Sequence, residues 1–333
     1  MLRVAAAACI VVSFWLGYFT HSSRCCTVVE VHSRHPISIN AVPLDFIAMS
    51  APNSTGTDVS TIRLIRPDFL GGTSPMCIFP NDYVSNHIRR NGVWEPNLLL
   101  QLMLYAPNTF TARSQLLVVD LGANIGAFTL FALSKGFRVF SIEMQVHVFQ
   151  TLSLSVALQP DGTASRWRAA NAALSSETDQ DAYYTPQRGN FGATHLDFNG
   201  ATNSAAVHMR TQRIDDIIDD NGNESIFFLK VDIEGLEPKV IPTFDKWFRR
   251  GAISYVAIEA RPDTWSAIKY MYERGMECGL GMLSPVSYAF NRAVSNDFWT
   301  FDEAQRMIEG DGMRAIADYN TQKYIDVFCK RIM

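Results

Sequence analysis

The chain lacks paired CxxC motifs, carries no long basic run and is sparing with charge of either sign. Its six cysteines, at 9, 25, 26, 77, 278 and 329 of 333 residues, fit neither a zinc framework nor a small disulfide-built domain. Charged residues make up 19%, and 29 Lys and Arg against 33 Asp and Glu leave a net charge of -4. A nucleic-acid binder concentrates positive charge to neutralise phosphates, so nucleic acid is not an expected partner. No internal repeat is present, and 47% hydrophobic residues exclude disorder as a description of the whole. What is there suffices for one large α/β domain with a terminal extension.

Val4–Phe19, VAAAACIVVSFWLGYF, is an apolar run without a single charge. A membrane-spanning helix needs about 20 residues at 1.5 Å each, so this run spans only with help from its neighbours. Trp15 and Tyr18 suit the interfacial layer, and the bulky end offers no small-residue cleavage site. An uncleaved signal anchor over 1–21 is therefore expected ahead of a cleaved signal peptide or a soluble-domain helix. Arg3 and the terminal amine oppose His21 and Arg24 across the run. The reading leans toward a type II protein of the Golgi or endoplasmic reticulum with a luminal catalytic domain. Asn53-Ser54-Thr55 and Asn223-Glu224-Ser225 would then be open to glycans. Cys278 and Cys329 fall in late apolar stretches, where buried free thiols are expected; a disulfide stays open if the domain is luminal.

Residues 22–75, rich in proline and small polar residues, read as a stem or irregular leader, with short strands around Ile37–Ile39 and Thr61–Ile65. The compact domain is expected over 76–333. Helices are predicted over Tyr83–Arg90 and Pro96–Tyr105. Gln115–Val119 is a continuous apolar strand suited to the middle of a parallel sheet covered on both faces. It runs into DLGANIG and then a helix, AFTLFALSKG. Val139–Ile142 is a second strand, ending in Glu143; Gln145–Leu158 is helical and Trp167–Leu174 a third strand. Residues 177–204 show no steady period and read as an active-site excursion or cover loop, followed by a strand over Ala205–Thr211. Ile226–Val231 is a central strand ending in Asp232-Ile233-Glu234-Gly235, and Ile253–Ile258 another, ending at Glu259. A helix over Asp263–Arg274, strands over Ser287–Asn291 and Tyr324–Cys329, and a helix near Phe301–Glu309 complete the chain. This alternation predicts an α/β fold, a twisted, mostly parallel sheet flanked by helices.

Three strand ends carry the chemistry. Gly122 and Gly126 sit where strand turns into helix, and glycine accepts positive φ and lets the chain approach a ligand without a Cβ. Asp120 is expected to accept from the amino-acid end of a bound cofactor, directly or through water, and Asn124 to hydrogen-bond within the turn. The helix N-terminus that follows favours a carboxylate. Glu143 offers two acceptor oxygens to paired ribose hydroxyls. Asn171, near the third strand's end, is expected either beside the adenine or as a turn former. The turn is not GxGxxG, which disfavours NAD, and Tyr183 and Tyr184 are followed four positions on by Gln187 and Arg188 rather than lysine. An NAD-linked or nucleotide-sugar-modifying oxidoreductase and a noncatalytic membrane-tethered scaffold remain the alternative functions.

Gly92-Val93-Trp94-Glu95, then VVDLGANIGAFTLFALSKGFRVFSIE at 118–143, NAALSS at 171–176 and FLKVDIEGLEPKVI at 228–241 follow in an order and spacing that resemble the FkbM-type methyltransferases. The resemblance implies a Rossmann-like methyltransferase fold whose seven-stranded sheet closes with an antiparallel strand. It implies S-adenosylmethionine as cofactor and oxygen methylation of a hydroxylated carbohydrate, as glycan or glycolipid, or of a small-molecule acceptor. Asp120, Gly122, Asn124, Gly126 and Glu143 would hold the cofactor, and Asp232, Glu234 and Glu237 would match the family's acidic segment. Met144 departs from the proline common at that place. The leader before residue 76 matches weakly, which leaves the acceptor open.

Methyl transfer needs an electron-rich acceptor held in line with a sulfonium methyl, and a hydroxyl acceptor gains from a nearby base. Asp232 or Glu234 is expected as that base, with Glu259 positioning the acceptor. His195, in FGATHLDFNG, either reaches over the acceptor as a base or is a surface histidine. Plainer roles compete: Glu234 and Glu237 as helix caps or ion-pair partners, Asp232 as support for the cofactor loop. Lys230 is expected to orient a carboxylate unless strand alternation turns it away. Asp232, Glu234 and Glu259 would hold a divalent ion if they converged, but no spacing requires it, and no metal ligand is assigned. Trp94 is expected beneath the cofactor, on a sugar ring or as a core anchor.

Overall fold

The computed structural model describes residues 62–201, 203–218, 224–280, 300–309 and 325–332, together with the short strand β1, Thr27–Val29. The expected anchor at 1–21, both Asn-x-Ser/Thr asparagines and the expected strands at 37–39 and 287–291 lie outside the described residues. Among the described residues no helix is long and apolar enough to cross a membrane.

Two strands, β2 (Ile62–Ile65) and β3 (Met76–Ile78), pair antiparallel, and β1 pairs with β2. Ile62, Ile65 and Leu70 are buried in the same core cluster as Val84, Phe131 and Leu152, so residues 62–75 pack onto the domain rather than stand off it. The helix Tyr83–Asn91 follows; Asp82 caps it by accepting from Ser85 N, and Gly92, at φ +75°, closes it on the Ile88 carbonyl. The helix Pro96–Tyr105 starts at Glu95, a non-glycine residue at φ +46°.

The main sheet is built from β4 (Leu117–Leu121), β5 (Arg138–Ile142), β6 (Trp167–Ala170), β11 (Ile226–Val231), β12 (Ile253–Ala260), β13 (Met276–Leu280) and β14 (Ile325–Arg331). Its order is β13-β14-β12-β11-β4-β5-β6. Strands β6, β5, β4, β11 and β12 are mutually parallel, and β14 runs antiparallel between β12 and β13. Every residue of β4 is buried, because helices cover both faces and neither side of the strand meets water. Leu117, Val119 and Leu121 belong to one core cluster and Val118 to the other, as a period of two requires.

Register decides where the site lies. Leu121 is opposite Ile142 on one side and Val231 on the other, and Val231 is opposite Ile258. The next residues, Gly122, Glu143, Asp232 and Glu259, therefore stand along one edge, Glu259 still paired with Asp326 of β14. The strand order reverses at β4, which opens the crevice where α/β sheets bind their ligands.

Three expectations need correction. The stretch read as one third strand is two: β6 in the main sheet and β7 (Ala173–Leu174) in a second sheet, because Asn171 turns the chain and its side-chain amide donates to the Glu143 and Met144 carbonyls at 2.8 and 2.9 Å. Nor is the 177–204 excursion a bare loop. It contributes β8 (Asp181–Tyr184) and β9 (Leu196–Asp197), which join β10 (Val207–Gln212) in the order β7-β10-β8-β9. Finally, Cys278 and Cys329 are not free thiols. The antiparallel register of β13 and β14 sets them opposite each other, with Cα atoms 4.0 Å apart, and they form a disulfide. The sequence reading had no strand at 276–280, and so no partner for Cys329.

Candidate active site

A cavity of about 290 Å³ opens at the carboxyl edge of β4, β5 and β11. The turn after β4 forms its floor. Gly122 holds φ +73°, and a Cβ there would stand 1.7 Å from the Asp232 carbonyl oxygen. No side chain fits, because the β4 turn and the end of β11 pack backbone to backbone. Gly126, at φ +91°, starts the helix Ala127–Ser134 and faces Leu152 instead of the cavity. Its glycine is needed for packing, a correction to the expected ligand contact.

Asn124, at φ +50°, fixes the turn: its N–H donates to Glu143 Oε2 at 3.0 Å and its side-chain oxygen accepts from Ile125 N at 2.7 Å. Gly122 and Ala123 N–H both donate to the Ile142 carbonyl. The amides of the turn are thus used internally, and the helix start at Ala127 and Phe128 lines the cavity without a side-chain cap at Gly126, which suits an anionic group.

Glu143 lies on the cavity wall, 5% exposed, and its Oε1 accepts from Gln145 N at 2.8 Å. Burial pushes its carboxyl up to about 7, against the opposing pull of the Gln145 and Asn124 amides. The two amides fix the orientation of both oxygens, whose remaining lone pairs suit a vicinal diol.

Asp120 does not reach the cavity. It is fully buried, its Oδ2 accepts from Thr129 Oγ1 at 2.6 Å, and its Oδ1 faces Lys230 Nζ at 3.7 Å. Lys230 in turn donates to the Gly122 carbonyl at 3.3 Å and to Asp232 Oδ2 at 3.2 Å. Burial alone would lower the lysine pKa, but Asp232, Asp120 and Glu95 hold it above its ordinary value. Asp120 therefore acts through Lys230 on the turn and on Asp232, not on a ligand directly. Of the two readings of Asn171 the turn former is the one seen: its amide is engaged by backbone carbonyls and does not line the cavity.

Asp232, Glu234 and Glu259 do converge on the far wall. Arg261 bridges two of them, with Nη2 on Glu234 Oε2 at 2.9 Å and Nε on Glu259 Oε1 at 2.7 Å. Burial, then the negative charge of Asp232, pushes Glu259 up to about 9; the same two causes raise Glu234. Among the described residues no three His, Cys, Asp or Glu side chains are placed to hold a metal ion. Glu237 stays behind the wall, accepting from Ile233 N at 3.1 Å as a cap would. His195 does not line the cavity: half its side chain is exposed, and Nδ1 lies 3.1 Å from the Glu234 carbonyl oxygen at the rim.

The roof comes from the 177–204 excursion. Residues Asn190–Leu196 close over the turn, pinned by Phe191 N donating to Asp82 Oδ1 at 3.0 Å and by Gln145 Nε2 donating to the Phe191 carbonyl at 2.8 Å. Gly192 packs on Asn124; a Cβ would come within 2.9 Å of its Nδ2. Trp94 and Glu95 complete the wall, Trp94 edge-on to Tyr83 and His87. Glu95 and Arg261 escaped the sequence reading, although each had a signal: the first sits in the GVWE segment, the second two positions beyond Glu259.

No curated protein matches the chain in sequence. Among solved structures, a SAM-dependent O-methyltransferase from Thermotoga maritima is similar at 12% identity and TM-score 0.36, covering 78% of this chain and 74% of that one. A TehB-like SAM-dependent methyltransferase from Corynebacterium glutamicum is similar at 7% identity and TM-score 0.36, covering 74% and 94%. Aeropyrum pernix fibrillarin, in complex with S-adenosyl-L-methionine, stands at 11% and 0.34, covering 71% and 91%. Scores this low carry no weight for fold or chemistry beside the strand order and register above. Residues 120–276 match the methyltransferase FkbM domain, a span that holds the glycine turn, Glu143, the acidic wall and Arg261. Over that span, a little under half of its length, the chain is similar to the methyltransferase FkbM domain.

Proposed function

We propose that the protein is an S-adenosylmethionine-dependent O-methyltransferase acting on a hydroxyl of a glycan, glycolipid or small metabolite. The observation that carries the reading is one cavity in which Glu143, the Gly122 turn and the Asp232–Glu234–Glu259 wall all meet. The donor set fits the cofactor: two oriented carboxylate oxygens for a ribose diol, and an uncapped helix start for a carboxylate. Bound there, S-adenosylmethionine would supply an electrophilic methyl group.

The chain's own residues do the rest. Glu143 and the turn fix the nucleoside, and the Asn190–Leu196 roof covers that half of the cavity. Asp232 lies on the acceptor side of the turn, held by Lys230, and is the assigned base for the hydroxyl proton. Glu234 and Glu259, tied to Arg261, orient the acceptor. The reading includes a type II membrane arrangement with the domain in the Golgi or endoplasmic reticulum lumen. The Cys278–Cys329 disulfide supports an oxidising compartment.

Calorimetry of the full chain in detergent, with S-adenosylmethionine, NAD and adenosine, tests the cofactor. Saturable binding of the first alone is expected; binding of NAD in its place overturns the reading. Labelled-methyl transfer to glycan and lipid fractions, with a product stable to mild base, tests oxygen methylation as an ether.

A further inference from the structure

Among the described carboxylates on the cavity wall, Glu95 stands apart in that no hydrogen bond or ion pair engages it. Lys230 is matched by Asp232 at 3.2 Å and Asp120 at 3.7 Å, and Arg261 by Glu234 and Glu259. Glu95 occupies the N-cap position of the helix Pro96–Tyr105, yet makes no side-chain cap hydrogen bond to it. No hydrogen bond or ion pair within 4 Å engages its carboxylate among the described residues. Its side chain borders both the main cavity and a small annex of about 30 Å³ between that helix and the ends of β11 and β12.

The charged groups facing it come from four strands or their ends: Asp120 from β4, Lys230 from β11 and Asp232 just after it, Glu259 from β12 and Asp326 from β14. Burial pushes the Glu95 carboxyl up to about 8; Lys230 pulls it down, and Asp232, Asp326 and Asp120 add to the rise. A carboxylate held this way favours a cation brought by a ligand, which removes the penalty of leaving its charge unpaired.

The geometry points to Glu95 as a cofactor-binding residue that takes the α-ammonium of S-adenosylmethionine. This rests on the proposed cofactor. Glu143 fixes the ribose at the end of β5; the Gly122 turn lies between; and Glu95 stands beyond it, at the β11 side, next to the lysine that holds the Gly122 carbonyl. A nucleoside amino acid lying along that line brings its amino-acid end to Glu95. The carboxylate gives the ammonium a charge-assisted acceptor and releases its own proton when it does so.

The test uses the full-length protein, wild type and Glu95→Gln, with three probes: S-adenosylmethionine, S-adenosylhomocysteine, which keeps the ammonium but not the sulfonium, and 5′-methylthioadenosine, which has neither. Glu95→Gln is expected to weaken the first two by about 10- to 100-fold and the third by less than about twofold. Calorimetry in buffers of different ionisation enthalpy is expected to show extra proton release near pH 7.5 with S-adenosylhomocysteine relative to methylthioadenosine, absent in Glu95→Gln. Since Glu143 meets the ribose of both probes, its own proton cancels in that difference. Equal weakening of all three probes, no weakening at all, or weakening of S-adenosylmethionine alone overturns the assignment. If wild type binds none of the three, the cofactor reading itself fails.

Discussion

Replacing Glu143 with alanine removes the acceptor for two backbone amides and, with the cofactor bound, for two ribose hydroxyls. On the protein side, the Asn124 and Gln145 N–H groups lose partners at 3.0 and 2.8 Å. An amide left without a partner costs about 1–3 kcal/mol, but this wall borders a cavity that admits water, so a total near the lower end is expected. For a domain of this size 1 kcal/mol moves Tm by about 2–4 °C, so the variant melts a few degrees early and remains folded. On the ligand side each bond to an ionised acceptor contributes about 1.5–3 kcal/mol, and losing two weakens binding by at least about 100-fold. Titration calorimetry with S-adenosylhomocysteine, beside a thermal melt, measures both numbers. A folded Glu143→Ala protein that binds within about threefold of wild type refutes the ribose role. The same carboxyl sets a pH dependence. Its value of about 7 stands above the ordinary 4.5, so the folded protein favours the protonated form. Its contribution to stability is full below 4.5 and is lost as pH rises through about 7. Binding moves the opposite way, because the ionised carboxylate accepts both hydroxyls: affinity for methylthioadenosine climbs as pH passes about 7, and Glu143→Gln flattens that climb.

Asp232→Asn is expected to depress turnover more than cofactor affinity, read as kcat against the calorimetric Kd; equal losses would assign Asp232 to cofactor support. Gly122→Ala forces a Cβ against the Asp232 carbonyl at 1.7 Å in a left-handed backbone, and a loss above about 3 kcal/mol in urea unfolding is expected. Wild-type stability in that variant would contradict the close packing of β4 against β11. Thiol labelling of the unreduced, unfolded chain is expected to leave Cys278 and Cys329 unmodified. Their 51-residue separation gives the cross-link a stabilisation of about 4 kcal/mol in the chain-entropy estimate, so reduction should lower Tm; full labelling before reduction counts against the disulfide and the oxidising compartment.

The glycine turn and the acidic end of the next strand were legible because their signals are local. DLGANIG and the acidic residue ending the next strand are short-range patterns, and a parallel sheet brings successive strand ends to one edge. The direct contact expected of Asp120, and the choice between the two readings of Asn171, depended on which way a strand-end side chain points, which the position alone does not say. One turns into the core toward Thr129 and Lys230, the other back onto its own chain. For His195 the choice between base and surface histidine stayed open in a segment with no period to fix its face, and its half-exposed side chain matches the second reading.

By itself the sequence determined the alternation of strands and helices, the buried character of β4 and β11, and the glycine and acidic residues at their ends, since each follows from periodicity, burial on two faces or the lack of a Cβ. Only the tertiary structure decided which carboxylates are paired and which are not, which cysteines meet, and that residues 190–196 roof the cavity. Those depend on register between distant strands and on contacts across more than a hundred residues, such as Asp82 with Phe191. A one-residue shift would reverse every such side chain, and no local pattern encodes that choice.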